Sequence, residues 1–387
     1  VAEALRNNPE ILAAQKRYEA ARLRPRQESS LPDPVLSLGY ASSGSPRPFA
    51  GLGEEPTSNA GVTLAQEFPF PGKRRLRGEI AGKEAEAELQ DYRAVQLSVV
   101  SRLKQAFHRL RHTYDLIDVL RQNQDLLRAI LGVAEARYTV GKAPQQDLFK
   151  IQAQLSMLET RILRMEQDKR SAEAEINSLV ARPPGSPLGR PENADPEPLP
   201  VTLEDLFAAA RENSPELLRG EKTIQKSELA LSLARKDYYP DSTLSAGYFN
   251  MGRMADMYQF RVDFKLPPWS LRKRRDQVAE QAAGVSRARH DLEAAGLDVR
   301  YRIQNDYLAA GTSQQLMRMY RDTVIPQAEL AVESSLASHE TGAVDLLNVL
   351  ANLTARFEYE ENYHEEFMSY QLALARLEQL TGKQWIP

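Results

Sequence analysis

Tyr258-Gln259-Phe260-Arg261-Val262-Asp263-Phe264-Lys265-Leu266 alternates apolar and polar residues without a fault. A strand turns successive side chains to opposite faces, so this run specifies one apolar and one polar face. Three other segments share the pattern. Leu36, Leu38 and Tyr40 alternate with Ser37, Gly39 and Ala41; Val62, Leu64 and Phe68 with Thr63, Ala65 and Glu67; Leu244, Ala246 and Tyr248 with Ser245, Gly247 and Phe249. Strands are therefore expected at about 34–43, 59–68, 242–251 and 257–266. A Pro/Gly-rich loop, Ser45 to Ser58, joins the first pair, and a tight connection near Gly252–Asp256 joins the second.

Two strand pairs, far apart in the chain, raise the question of an internal repeat. Asn8-Pro9-Glu10-Ile11 returns as Ser214-Pro215-Glu216-Leu217, at an offset of 206. Leu31-Pro32-Asp33 with Leu36-Ser37 and Gly39-Tyr40 returns as Tyr239-Pro240-Asp241 with Leu244-Ser245 and Gly247-Tyr248, at 208. Phe68-Pro69 before Lys73, Arg74, Arg75 and Arg77 returns as Leu266-Pro267 before Arg272, Lys273, Arg274 and Arg275, at 198. Gly141 with Asp147-Leu148 returns as Gly342 with Asn348-Val349, and Ile176-Asn177-Ser178-Leu179 as Leu377-Glu378-Gln379-Leu380, both at 201. Five landmarks in one order give a first repeat, 1–182, and a second, 203–387, joined by a Pro-rich linker, 183–202. The Pro content makes that linker extended and non-helical.

Helices account for the rest of each copy. The first is expected over about 1–29 and again over 203–237, where Thr202 and Asp205 form a capping-box-like start. After the strands come long helical patterns, 72–140 with no internal Pro and 270–341 with only Pro326. Such lengths far exceed the globular mean of ~11 residues and imply a coiled coil or tubular array. Gly141 and Gly342 break them, and return helices follow at 145–181 and 344–381.

Composition narrows the function. The chain has 387 residues, 27 % of them charged, and 50 Lys+Arg oppose 53 Asp+Glu, so no basic excess points to nucleic acid. No run of ~20 apolar residues suits a membrane helix, whereas alternating membrane strands leave hydropathy low. With Cys 0, disulfides and thiolate chemistry are excluded. No signal peptide is visible; Val1-Ala2-Glu3-Ala4-Leu5 read as the inside of a helix. There is no phosphate-cradling Gly loop, nucleophile elbow or catalytic carboxylate pair, so neither an enzyme nor a cofactor is expected.

Four strands with one apolar face are too few to close a barrel, since single-chain barrels start at eight. In lipid an open edge leaves each unpaired backbone group at a cost of several kcal/mol. Either several chains pool their strands in a membrane, or a small soluble sheet sits beside a helical bundle.

With these features assembled, the chain resembles the TolC-type outer-membrane efflux family over nearly its whole length. The duplicated order helix, strand, strand, long helix, Gly turn, helix carries the resemblance. Local phrases add to it: Leu31-Pro32-Asp33-Pro34, Gln66-Glu67-Phe68-Pro69-Phe70-Pro71-Gly72-Lys73-Arg74, and Tyr138-Thr139-Val140-Gly141 leading to Asp147-Leu148. The Phe-Pro-Phe-Pro-Gly-Lys-Arg phrase is similar to the heavy-metal (CzcC/CusC-like) branch. The resemblance implies a mainly α fold with a transmembrane β-barrel portion: a homotrimeric 12-stranded barrel continued by a 12-helix periplasmic α-barrel, with the Pro-rich linker in an equatorial belt. It implies a passive exit channel in the outer membrane of a Gram-negative bacterium. A periplasmic adaptor (membrane fusion protein) would dock at the turns, and an inner-membrane pump would supply energy. A soluble periplasmic coiled-coil adaptor or scaffold is the competing reading, though it would show a single hairpin flanked by lipoyl-like β segments.

Residue roles follow. Lys73, Arg74, Arg75, Arg272, Lys273 and Arg274 sit just past strands and suit an anchor to lipid phosphates at the membrane interface. The alternative is a solvated helix start, although basic charge is unfavourable there. By the resemblance, Tyr138, Gly141, Asp147, Leu148 and Gly342 form the docking tip. The family carries an acidic constriction after the second turn; here Asn348 and Ala351 stand at those positions, leaving Asp345 and Asp147 as candidate substitutes. Asp345 repeated about a threefold axis would favour cations. His339 lies three residues before Gly342 and could tune opening with pH, or simply face solvent. His108 and His112, at i and i+4, share a helix face as a weak metal pair without a third ligand. Glu358, Glu360, Glu361, Glu365 and Glu366 around His364 read as a solvated face or a cation-attracting wall.

Overall fold

The computed structural model describes residues 1–43, 47–192, 201–266 and 271–385. Residues 193–200 of the Pro-rich linker, Ser45, Pro267 and Ser270 lie outside the described residues. Two compact units emerge: Val1–Ala14, Tyr92–Pro215 and Gly296–Pro387 form one, and Gln15–Asp91 with Glu216–Ala295 the other.

The element order repeats as expected, with finer breaks. Copy one begins with α1 (Ala2–Asn7), α2 (Pro9–Ala21) and α3 (Arg24–Ser29), then β1 (Val35–Ala41), β2 (Asn59–Phe68), α4 (Lys73–Thr139) and α5 (Gln145–Leu179). Copy two runs α6 (Leu203–Asn213), α7 (Pro215–Lys236), β3 (Ser242–Asn250), β4 (Met257–Phe264), α8 (Leu271–Met319), α9 (Ile325–Glu340) and α10 (Leu346–Thr381).

The single opening helices, expected over 1–29 and 203–237, are each broken. Pro9 and Pro215 cannot donate a backbone bond, so a helix tends to restart at each. Asn8 completes the first break: its Oδ1 accepts from the N–H of Glu10 at 2.9 Å and of Ile11 at 3.3 Å. At the second start the Thr202–Asp205 capping box forms in both directions. The long helix of copy one is continuous. That of copy two is not: a π-helical turn, Tyr320–Val324, separates α8 from α9. It lies immediately before Pro326, whose ring clashes with the preceding turn and whose missing N–H leaves a carbonyl unmatched; a π turn absorbs both.

The unit containing β1 to β4 is built on one antiparallel sheet in the order β1-β2-β3-β4. Register places Leu36 opposite Leu64 and Leu38 opposite Val62. Next to them come Leu64 with Ala246 and Val62 with Tyr248, then Ala246 with Phe260 and Tyr248 with Tyr258. All these residues fall on one face, because every pairing keeps the alternation in phase. That face is bare: Leu38 is 79 % and Phe260 80 % exposed. Both edges, β1 and β4, lack a neighbouring strand among the described residues.

The other unit is helical. One core gathers Leu120, Leu127 and Ile130 of α4, Ile151 and Leu158 of α5, Val332 of α9, and Leu346, Leu350, Leu353 and Phe357 of α10. A second joins Ala4 and Ile11 to Val99, Leu103 and Leu110 of α4 and Ile176 and Leu179 of α5. Asn8 ties that second core together, its Nδ2 donating to the Leu179 carbonyl at 2.9 Å.

Candidate functional site: the paired turns and the strand–helix junction

The two helical hairpins end in matching turns. Gly141 has φ 72° and Gly342 φ 80°, the left-handed region that ends a helix cheaply only with glycine. The backbone follows one pattern at both. The Gly141 N–H donates to the Tyr138 carbonyl and Lys142 to Arg137; Gly342 donates to His339 and Ala343 to Ser338. Residues of both turns line a common cavity of about 500 Å³, among them Arg137, Asp147, His339, Gly342 and Asp345.

The expected residues of the two turns separate. Asp147 is buried, 5 % exposed, in the first turn of α5, whereas Asp345 and Asn348 are exposed at the start of α10. Leu148 packs against the core and Tyr138 stays exposed. His339 is half-buried, and its Nδ1 lies 2.9 Å from the Val344 carbonyl oxygen, across its own turn. Arg137 Nη1 donates to the His339 carbonyl at 3.2 Å, linking the two hairpins. That link was not legible in the sequence, because it joins a side chain to a backbone atom 202 residues away.

The basic residues past the strands also divide. Arg75, Arg272 and Lys273 are exposed and Arg74 half-buried; Arg274 donates to Gln277 at 3.0 Å. Lys73 departs from the expected lipid anchor. Its side chain is 3 % exposed and its Nζ lies 2.9 Å from Asp241 and 3.3 Å from Asp237, donating also to the Tyr239 carbonyl at 2.9 Å. The Phe70 N–H donates to Asp241 at 2.7 Å, and the Phe70 ring stacks on Tyr239 at 4.5 Å. Burial works against a charged Asp241, but the Phe70 N–H and the Lys73 ammonium outweigh it and hold this carboxyl below its ordinary value. So Lys73 locks the end of β2 to the start of β3. Arg75, Arg272 and Lys273 stay exposed.

His108 and His112 of α4 and His364 of α10 are half-buried. His112 Nδ1 lies 3.2 Å from the His364 carbonyl oxygen, and His364 Nδ1 is 3.7 Å from Asp115. Arg111 sits over the Phe367 ring at 4.4 Å. Burial, with Arg111 and Lys104 nearby, pushes His108 down to about 4, and burial lowers His112 and His364 as well. Among the described residues no group of three His, Asp or Glu is placed to hold a metal ion. The acidic run beside His364 is partly used in ion pairs, Glu361 with Arg161 of α5 and Glu360 with Arg356.

Two helical hairpins with matched glycine turns, and a four-stranded sheet with an exposed apolar face and, among the described residues, two open edges, define a duplicated, mainly helical protein. The chain belongs to the outer membrane efflux protein family, whose model matches residues 1–182 and 206–383. It is 22 % identical over 409 residues to the probable outer membrane lipoprotein SilC of Salmonella typhimurium, covering 100 % of this chain and 85 % of SilC. It is also 22 % identical to the outer membrane protein TolC of Vibrio cholerae, covering 98 % and 89 %. Its fold matches the crystal structure of the outer membrane protein VceC from Vibrio cholerae with a TM-score of 0.84 at 16 % identity, covering 100 % of this chain and 95 % of VceC.

Proposed function

We propose that this protein is the passive outer-membrane exit channel of a tripartite efflux system. Three copies pool their sheets into a 12-stranded barrel and their hairpins into a helical tunnel. The observation that carries this reading is the sheet: an apolar face, Leu36, Leu38, Phe260, Val262 and Phe264, exposed beside two unpaired edges. In water that face needs a cover; in lipid it is already in its preferred solvent, provided the edges are closed by other copies. The exposed row Leu297, Tyr301, Leu308 and Met319 along α8 supports the same arrangement for the helices.

The paired turns at Gly141 and Gly342 are the docking end for a periplasmic adaptor, and the energy comes from an inner-membrane pump. Exposed Asp345, repeated about the axis, biases the end of the tunnel toward cations. Substrate choice, heavy-metal cations or drugs, rests with the pump. The test is single-channel conductance of detergent-purified protein in a planar bilayer, with Asp345→Asn beside the parent. Discrete cation-preferring conductance, reduced in selectivity by the variant, is expected. Unchanged selectivity would remove Asp345 as the gate and keep the pore. A folded protein that stays monomeric and soluble without detergent, and never inserts, would favour the soluble scaffold.

A further inference from the structure

One aromatic residue breaks the alternation of the sheet. Strand β3 turns Leu244, Ala246 and Tyr248 to the apolar face and Ser245, Gly247 and Phe249 to the other. Register fixes what shares that second face. Gly39 lies opposite Gly61, Gly61 opposite Phe249, and Phe249 opposite Met257. The next row holds Ser37, Thr63, Gly247 and Gln259. Among the described strand residues Phe249 is the one aromatic on this face; Tyr40, Phe68, Tyr248, Tyr258, Phe260 and Phe264 share the apolar one.

The ring lies across the two glycines beside it. A Cβ at Gly61 would sit 2.3 Å from Phe249 Cδ1 and 2.8 Å from Cγ; a Cβ at Gly247 would sit 2.7 Å from Cε2 and 3.1 Å from Cζ. Opposite edges of the ring thus fill the space of both missing side chains. Glycine inside a strand weakens it and marks a close approach. Here the approaching group is an aromatic ring, which covers the bare backbone in return. Phe249 is half-buried in this seat. The strand end that carries it is pinned, because Tyr248 Oη donates to Asp256 at 2.7 Å and Asn250 Nδ2 donates to Asp256 at 3.1 Å. With the backbone held, the seat decides where the ring lies.

These residues lie at the loop end of the sheet, where β1 leads into β2 and β3 into β4; the strands join their helices at the opposite end. In a membrane barrel the apolar face meets lipid and the other face lines the bore. In the channel reading, then, Phe249 stands on the bore wall at its outer mouth. Its neighbours Ser37, Gly39, Gly61 and Thr63 are small, so the wall there is low. A strand side chain ordinarily stands roughly perpendicular to its sheet. Standing so, one phenylalanine from every copy would project into the bore. Laid flat on glycine, it does not.

We infer that Gly61 and Gly247 hold Phe249 flat against the bore wall, and that this seat sets the width of the outer mouth and so the largest solute that passes it. The inference rests on the channel reading above and adds the residues that fix its size limit at that end.

Gly247→Ala is the variant that lifts the ring. The nearest neighbours of its methyl group are side-chain atoms, the far edge of the Phe249 ring and Thr63 Oγ1 at 3.0 Å, so strand pairing is kept. At Gly61 a Cβ would also press on the Tyr248 carbonyl oxygen, at 2.5 Å, and disturb the pairing itself. The chain has no native cysteine, so Ser37→Cys, one row inside the mouth, reports what enters. Thiol-reactive polyethylene glycols of graded size are added outside cells that carry the protein in their outer membrane, with a small maleimide as control. The expected result is a lower size limit for labelling in Gly247→Ala than in the parent, and a limit restored when Phe249→Ala is added. An unchanged limit in Gly247→Ala would overturn the inference. So would a lowered limit that Phe249→Ala leaves in place, since the methyl group would then act without the ring. The seat is read separately by fluorine NMR of purified protein bearing a fluorinated phenylalanine at position 249. The shift between light and heavy water is expected to rise severalfold in Gly247→Ala; equal shifts would show that the glycines do not hold the ring. If even the small maleimide fails to reach Ser37→Cys in folded protein, the channel reading falls and the mouth role with it, while the fluorine signal still decides the seat.

Discussion

A lysine at the start of a helix is an unfavourable charge beside the helix dipole, and Lys73 repays that cost through its partners. It is held by Asp241, Asp237 and the Tyr239 carbonyl, out of water. Lys73→Met leaves two carboxylates without their cation. With Asp241 20 % and Asp237 30 % exposed, water softens the loss, and a destabilisation of about 3 kcal/mol is expected. Arg75→Met, an exposed change, moves the melting temperature little, and thermal unfolding of both variants checks the contrast. His108 gives a prediction in pH. Its folded pKa, about 4, lies below the ordinary 6.5, so the unfolded chain takes up the proton first. The stability it contributes is whole above pH ~6.5 and is lost as the pH falls toward 4, by at most about 3 kcal/mol. His112 and His364 add in the same direction. Asp115, raised by burial, acts oppositely, since its folded form holds a proton more readily. Unfolding curves from pH 7 to pH 4 should be shallower for His108→Phe than for the parent; equal slopes would show that this imidazole is not the buried neutral group described.

Elements depend on a few residues that the helical period does not reveal. Asn8 caps α2 with its Oδ1 and holds the end of α5 with its Nδ2, at 2 % exposure. Asn8→Ala should cost about 2 kcal/mol, roughly 1 for the cap and 1 for the buried bond to Leu179. Asn8→Asp keeps the cap and loses the donor, so denaturant melts should place it between parent and alanine variant. Copy two has Ser214 at this position, buried yet lacking that second reach, which is why the repeat motif alone understated the role of Asn8. The π turn at Tyr320–Val324 was legible only as Pro326 in a long helical pattern; whether a helix kinks, ends or bulges there depends on what packs around it.

At the scale of the molecule, the proposed trimeric channel accounts for the exposed apolar surface. A large share of its apolar side chains, Leu36, Phe260 and Leu297 among them, face outward in a single copy. Purified chain should therefore need detergent and sediment as a trimer in it, with a circular dichroism spectrum dominated by helix. The duplicated order, the four strands and the two glycine turns were readable from residue pattern, and the outer-membrane efflux family from a resemblance carried by that order and by local phrases. The strands and turns rest on local rules: period two for strands and glycine at positive φ for the turns. What pattern could not decide was which groups meet across long stretches of chain. The pairing of β2 with β3, the burial of Lys73 between carboxylates and the contact of His112 with α10 belong to the tertiary structure. Their physical reason is shared: burial and partnership, set by residues some 160 or more positions away, decide the charge and role of a side chain.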